Sequence, residues 1–257
     1  ASVNHWRRHS LDLPPTPFLG IYQNLRKQRI PQFLGYSEHV LPRPKDWENH
    51  VHVTGYWFLQ RPDGWQPAPE LVEFLGSGPP PVYIGFGSMT SRRPEILTAK
   101  IVEALDRTGQ RGLLLDGWSK LGSAHLPKTI FPLESVPHDW LFPQVSAVVH
   151  HGGAGTTAAG LRAGVPAIVT PFFADQFFWA RRVVKLGVGP QFIPHAQLTA
   201  ENLAAAIRTA VGNETLRDRA RAVGERIRAE DGVSKMVDLF EKAIGQCRRF
   251  QNRAKGP

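Results

Sequence analysis

The 257 residues are 42% hydrophobic, enough for a full core in one large or two small domains. No apolar run of about 18 or more residues occurs, so no membrane-spanning helix is expected, and residues 1–10 are polar and basic, without the pattern of a secretory leader. A net charge of +9 points either to an anionic partner or to a solvated basic surface, and its distribution along the chain favours the surface.

In chain order, residues 6–13 predict a short helix closed by Pro14 and Pro15. Pro17, Pro31, Pro42 and Pro44 then punctuate a mostly extended path. The aromatic residues Trp6, Phe18, Tyr22 and Phe33 are expected to be exposed there, a sticky surface that wants a partner. Residues 51–59 read as a strand or extended segment, 60–69 as a proline-rich linker, 70–75 as a short helix and 76–81 as a stiff turn. From residue 82 onward, strands and helices alternate. Strands are predicted at 82–86, 112–115, 129–133, 147–150 and 167–170, and helices at 94–108, 158–163 and 175–186. In the first of these helices Ile96, Leu97, Ile101, Ala104 and Leu105 share a face at helical spacing, and Pro94 suits a first-turn position. Such alternation predicts an α/β fold with a doubly wound parallel sheet.

Three helices follow, at 198–211, 213–230 and 233–248. Thr199 with Asn202 three residues on gives only part of a capping pattern. Arg217, Arg219, Arg221, Arg226 and Arg228 mix with Asp218, Glu225 and Glu230, which predicts a solvated helix. With Arg7, Arg8, Arg26, Lys27 and Arg29 this accounts for much of the charge. No paired-cysteine zinc site or aromatic RNA-binding strand occurs, so nucleic acid is not an expected partner. The single cysteine, Cys247, allows no internal disulfide and fits a reducing, cytoplasmic compartment, with peripheral contact at a membrane surface left open.

The stretch from His150 to Thr157 carries the most chemistry. An apolar strand passes through Gly152, Gly153 and Gly155 into a helix, leaving backbone N–H groups aimed at one spot. Those donors and the helix dipole suit an anion such as phosphate, and His151 at the mouth adds another donor. His150, one residue earlier, faces the opposite side of the strand. That opposition, with no His-Glu-x-x-His or cysteine pair, argues against metal ligation by His138, His150 and His151. Twenty-four residues after His151 come Asp175 and Gln176, at the exit of the next strand. A carboxylate beside an amide suits vicinal sugar hydroxyls, and Asp175 also suits a helix N-cap. A phosphate site and a hydroxyl clamp at consecutive strand ends suggest a nucleotide-sugar pocket. Ligands on such sheets bind outside the carboxyl ends of the strands. At the end of the first of these strands, Gly87 lets backbone approach a donor and Ser88 offers a hydroxyl. Each of these residues also fits an ordinary strand-to-helix turn.

The pattern of His151, Gly153, Gly155 and Thr156, then Gly164-Val165-Pro166, Pro171 and Asp175-Gln176, resembles the donor signature of the nucleotide-sugar glycosyltransferases of the two-Rossmann-domain (GT-B) type. Gly55-Tyr56-Trp57-Phe58, the run from Val82 to Met89, the run from Val136 to Pro143, and Asp175 to Ala180 are similar to the sterol 3-β-glucosyltransferase branch. The resemblance implies a UDP-sugar-binding domain over residues 79–245. It also implies a tail of the N-terminal, acceptor-binding domain at 1–59, a linker at 60–78 and a basic tail at 246–257.

It further implies that Val136 pairs with the uracil edge and that His138 stands where many relatives contact ribose with glutamine. Trp118, with Gly117, lies near the nucleotide or packs the sheet edge. Gly153, Ala154, Gly155 and Thr156 hold the diphosphate with His151, and Asp175 and Gln176 hold the hexose. Ser135 and Ala159 replace a uracil-stacking tryptophan and a ribose-binding glutamate of plant relatives. Trp179 replaces their asparagine. The family's catalytic histidine lies near the start of the N-terminal domain, and nothing here matches it, so no catalytic residue is expected in this chain. No cofactor is implied, and the absence of an Asp-x-Asp motif fits a metal-independent leaving group.

The implied activity is hexosyl transfer, with inversion, from a UDP-sugar such as UDP-glucose to a lipophilic hydroxyl such as a sterol's. This chain would supply the donor half and be inactive alone. The alternatives are a non-catalytic UDP-sugar-binding subunit that works with a separate acceptor-domain chain, and a related reaction such as epimerisation on the same fold.

Overall fold

The computed structural model describes residues 2–16, 27, 29–87, 93–115 and 126–254. Helix α1 (Ser2–Ser10) is followed by strands β1 (Gln32–Leu34) and β2 (Val51–Val53), which pair in parallel. Helix α2 (Pro69–Gly76) leads into the main sheet. Its strands are β3 (Val82–Gly85), β4 (Gly112–Leu115), β5 (Ile130–Leu133), β6 (Ala147–His150) and β7 (Ala167–Val169). All are parallel, in the order β5-β4-β3-β6-β7. The doubly wound α/β expectation holds.

The sheet follows from its residues. Every residue of β3, β6 and β7 is buried, as parallel strands covered on both faces require. Side chains alternate across the sheet. Val82, Ile84, Ala147 and Val149 join one core cluster with Ile101, Leu105, Leu203 and Ile207. Tyr83 and Val148 join the opposite one with Leu71, Leu141 and Phe142. Helices α3 (Pro94–Asp106) and α7 (Ala200–Gly212) supply the first cover. The second cover includes the single-turn helix α4 (His138–Leu141). Helix α5 (Ala154–Ala163) runs beside α8 (Glu214–Arg228), and α6 (Gln176–Leu186) lies next to it.

Local details correct several expectations. In α3 the buried stripe is Leu97, Thr98, Ile101, Ala104 and Leu105, while Ile96 is 42% exposed. The spacing 97, 101, 104, 105 is one face of a 3.6-residue period, and Ile96 lies about 100° off it. At α7 the capping box is complete. Thr199 Oγ1 accepts the Asn202 N–H at 3.1 Å and Asn202 Oδ1 accepts the Thr199 N–H at 2.9 Å. The asparagine thus does the work of the usual glutamate or glutamine. Beyond β7 the glycine- and proline-rich residues 188–195 add an irregular edge to the sheet. Ile193 N–H donates to Val169 O at 3.0 Å and His195 N–H to Pro171 O at 3.0 Å.

The N-terminal segment is more ordered than its prolines suggest. Helix α1 begins four residues earlier than expected, and Asn4 pins it to the backbone of Thr16. Trp6 is 57% exposed, whereas Phe33 stacks on His52 at 5.6 Å and meets Phe240 edge-on at 6.3 Å. Phe18 and Tyr22 lie outside the described residues. Val40 and Tyr56 are buried in one cluster with Val169, Val183 and Ile227, so the packing runs across the expected boundary at residue 59. The Arg182 guanidinium donates to Val40 O, and Lys235 Nζ donates to Val53 O at 3.0 Å.

The basic helix α8 is solvated as expected, with Arg221 on Asp218 at 2.9 Å. Glu230 departs from this. Its side chain is only 21% exposed and accepts from Ser37 Oγ at 2.8 Å. The last helix, α9 (Gly232–Ala254), leaves Val233, Val237, Phe240 and Ile244 exposed along one side. The side chain of Cys247 lies outside the described residues. Among those residues no helix is long and apolar enough to cross a membrane.

Candidate functional site

The strand order defines a switch point. From β3 the chain winds outward to β4 and β5, then returns to β6 beside β3 and winds the other way to β7. A crevice opens between the carboxyl ends of β3 and β6 in such a sheet. There Gly85 is registered against His150, and Gly87 and His151 follow.

The two adjacent histidines have separate environments. His150 is fully buried, and its Nδ1 accepts the Gly152 N–H at 3.0 Å. An accepting Nδ1 places the ring proton on Nε2. Burial, reinforced by the charges of His151 and His138, pushes its pKa down to about 3, so the ring stays neutral and fixes the turn. His151 lies across the strand with its ring at 89° to that of His150 and 6.5 Å away. Burial lowers its pKa, and the charge of Asp175 works in the opposite sense. Its Nδ1 is buried without a hydrogen-bond partner among the described residues.

Glycines make the room for this ring. A Cβ on Gly153 would lie 2.4 Å from His151 Nε2, and one on Gly87, whose φ is +59°, would lie 3.1 Å from His151 Cε1. No side chain caps α5 at Gly153, and no acidic residue stands in its first turn. Its helical bonding starts with Thr157 N–H to Gly153 O at 2.9 Å, so Ala154, Gly155 and Thr156 present N–H groups with no helical acceptor. Ala154 and Gly155 are exposed. The His151 ring thus lies against Gly153, next to the uncapped start of α5.

Beside this turn lies a cleft of about 1080 Å³ whose walls include Phe58, Ser135, Val136, His138, Gly155 and Ala159. The His138 ring stacks on Phe142 at 4.3 Å and meets Tyr83 edge-on, and burial, opposed by Asp139, lowers its pKa. The opposite wall is a strap formed by residues 57–65. Arg61 pairs with Asp139 at 3.2 Å, Trp65 meets Trp140 edge-on at 5.4 Å, and the Arg162 guanidinium sits 4.5 Å over the Phe58 ring. Residues 60–65 of this strap fall in the stretch expected to be a plain linker, and the local signal of its packing is Trp65 among the prolines.

Asp175 and Gln176 have different surroundings. Gln176 is 5% exposed, and its Oε1 accepts the N–H groups of Phe172 at 2.7 Å and Phe173 at 3.2 Å, which fixes the loop after β7. Asp175 is exposed. It occupies the N-cap position of α6 without a side-chain capping bond, and its Oδ2 accepts from Trp179 Nε1 at 3.3 Å. An unanticipated aromatic stack adjoins the loop, with His195 on Phe172 at 3.8 Å and Phe86 against Phe172 at 5.9 Å. Ser88 and Trp118 lie outside the described residues. Among those residues no group of three or more His, Cys, Asp or Glu side chains converges.

Among solved structures, this fold resembles the glycotransferase of kitacinnamycin (TM-score 0.68, 24% identity, 83% of this chain and 55% of that one). It also resembles CalG4, the calicheamicin glycosyltransferase (TM-score 0.67, 22% identity, 84% and 54%). The architecture is that of the C-terminal half of a GT-B glycosyltransferase. Residues 112–240 match the family described as erythromycin biosynthesis protein CIII-like, C-terminal domain, and the chain belongs to that family.

Its relatives include the sterol 3-beta-glucosyltransferases UGT80B1 (43% identity over 244 residues) and UGT80A2 (42% over 248 residues) of Arabidopsis thaliana. The sterol 3-beta-glucosyltransferase of Cryptococcus neoformans is 40% identical over 266 residues. The matches take in 94–96% of this chain but only 39% of the Arabidopsis proteins and 16% of the Cryptococcus one.

Proposed function

We propose that this chain is the donor-binding half of a glycosyltransferase that moves a hexose, with inversion, from UDP-glucose to the hydroxyl of a lipophilic acceptor such as a sterol. The observation that carries the reading is the meeting of His151, the glycines that seat its ring and the uncapped start of α5 at the switch point of the sheet. A diphosphate there faces N–H donors and a helix dipole. The adjoining cleft supplies room for the nucleoside along Val136 and His138, and the exposed carboxylate of Asp175 faces the hexose. Gln176 holds the loop that presents it. The sterol glucosyltransferase relatives support glucose and a sterol-like acceptor.

In the reaction the acceptor oxygen bonds to the anomeric carbon as the bond from that carbon to the diphosphate oxygen breaks. The diphosphate leaves with the electron pair. The N–H groups of residues 154–156 and His151 stabilise the charge that develops on it, and a single such donor is typically worth about 10²–10³ in rate. A base that takes the acceptor's proton comes from outside this chain.

Calorimetric titration of the purified chain with UDP-glucose, UDP and TDP-glucose, with Asp175→Ala alongside, tests the reading. Preference for UDP-glucose that the variant loses supports it, and no binding to any of the three refutes it.

A further inference from the structure

Resting on that reading of the donor site, we infer that Trp179 is a positioning residue for the sugar end of the pocket. It holds the Asp175 carboxylate off the helix start and open to the hexose. An aspartate at an N-cap ordinarily accepts the N–H of the second or third helical residue. Asp175 does not. Its backbone is already helical (φ −69°, ψ −13°), and its side chain makes no capping bond. One carboxylate oxygen accepts from the Trp179 indole N–H one turn along α6, and Oδ1 accepts no hydrogen bond among the described residues.

The indole is itself fixed. Its ring packs against the core cluster that holds Tyr56, Ala180 and Val183, and Phe178 meets it edge-on at 5.1 Å. The loop on the other side of Asp175 is also fixed, by Gln176 on the N–H groups of Phe172 and Phe173, with Ala174 at φ +54°. The carboxylate is thus held from both sides while staying exposed, and its charge reaches His151. A preset acceptor suits a pair of sugar hydroxyls and offers nothing to the nucleotide.

The test compares Trp179→Phe, which keeps a ring and removes the N–H, with Trp179→Gln, which restores a donor at the same helical spacing. Both are titrated with UDP and with UDP-glucose. Trp179→Phe is expected to weaken UDP-glucose binding about five- to tenfold, the scale of one hydrogen bond, and to leave UDP binding unchanged, with Trp179→Gln recovering most of the loss.

An unchanged UDP-glucose preference in Trp179→Phe overturns the inference and leaves the donor site standing. Equal weakening of both ligands makes Trp179 a packing residue only and also overturns it. A parent chain that binds neither ligand removes the donor-site reading and this inference with it.

Discussion

Ser37 Oγ donates to Glu230 Oε1 at 2.8 Å, joining residues 193 positions apart. The bond lies where the N-terminal segment crosses the end of α8. It is partly buried, and the second carboxylate oxygen, Oε2, is buried without a hydrogen-bond partner among the described residues. Burial, and next the charge of Glu230, raises the pKa of the neighbouring Tyr56 hydroxyl. Removing the serine hydroxyl leaves a charged acceptor short of a donor. Ser37→Ala is expected to destabilise the fold by about 1.5–3 kcal/mol, read from the midpoint of urea unfolding. A loss under about 0.5 kcal/mol, the range of an ordinary surface substitution, would show that the contact contributes little.

The same packing makes a prediction about the domain boundary. Val40 and Tyr56 are buried among residues of α5, α6, β7 and α8. A chain beginning at residue 60 loses both, each worth about 1.5–3 kcal/mol of burial. It is expected to unfold at lower urea than the full chain or to aggregate. Equal unfolding midpoints would put the structural boundary back at residue 59.

His151 is half-buried. His151→Ala is expected to fold normally and to weaken UDP binding about ten- to a hundredfold, the scale of a hydrogen bond to a charged group. Gly153→Ala is expected to do similar damage by another route, since its methyl group would occupy the place of His151 Nε2. Titration of both variants with UDP, beside circular dichroism, checks this pair. Full UDP affinity in Gly153→Ala would mean that the ring's position is immaterial.

The buried histidines set an acid limit. His150 has a folded pKa near 3 against an ordinary 6.5, so below about pH 6.5 the unfolded chain takes up a proton that the folded chain refuses. Stability is therefore full above that pH and falls as pH drops toward 3. His138 and His151, lowered in the same direction, add to the slope. From His150 alone the loss at pH 5 is about 2 kcal/mol. Urea unfolding at pH 7.5 and pH 5 reads it directly, and equal stabilities would contradict the buried neutral ring.

Much of this was legible in the sequence, because buried parallel strands and amphipathic helices leave local patterns. The apolar runs at 82–86 and 147–150 and the glycines after His151 mark two buried strands and a helix start, but the strand order that sets them side by side depends on long-range pairing. Local pattern fails where a partner decides. Phe33 looked exposed until His52 and Phe240 covered it. Glu230 looked solvated beside its arginine neighbours, but the helix end turns it toward Ser37. Residues 188–195 carry glycine and proline, which hid a sheet edge held by backbone bonds and by the buried side chains of Val188 and Ile193. The separate surroundings of Asp175 and Gln176 depend on loop geometry that spacing cannot express.

The proposed donor site seats a diphosphate at the start of α5. The most direct measurement is a two-dimensional NMR titration of the isotopically labelled chain with UDP. The amides of Gly153, Ala154, Gly155 and Thr156 and the ring of His151 are expected to shift together and saturate with one affinity. Saturating shifts confined to another surface, such as the cavity beside Arg29, His50 and Lys242, with these groups unmoved, would contradict it.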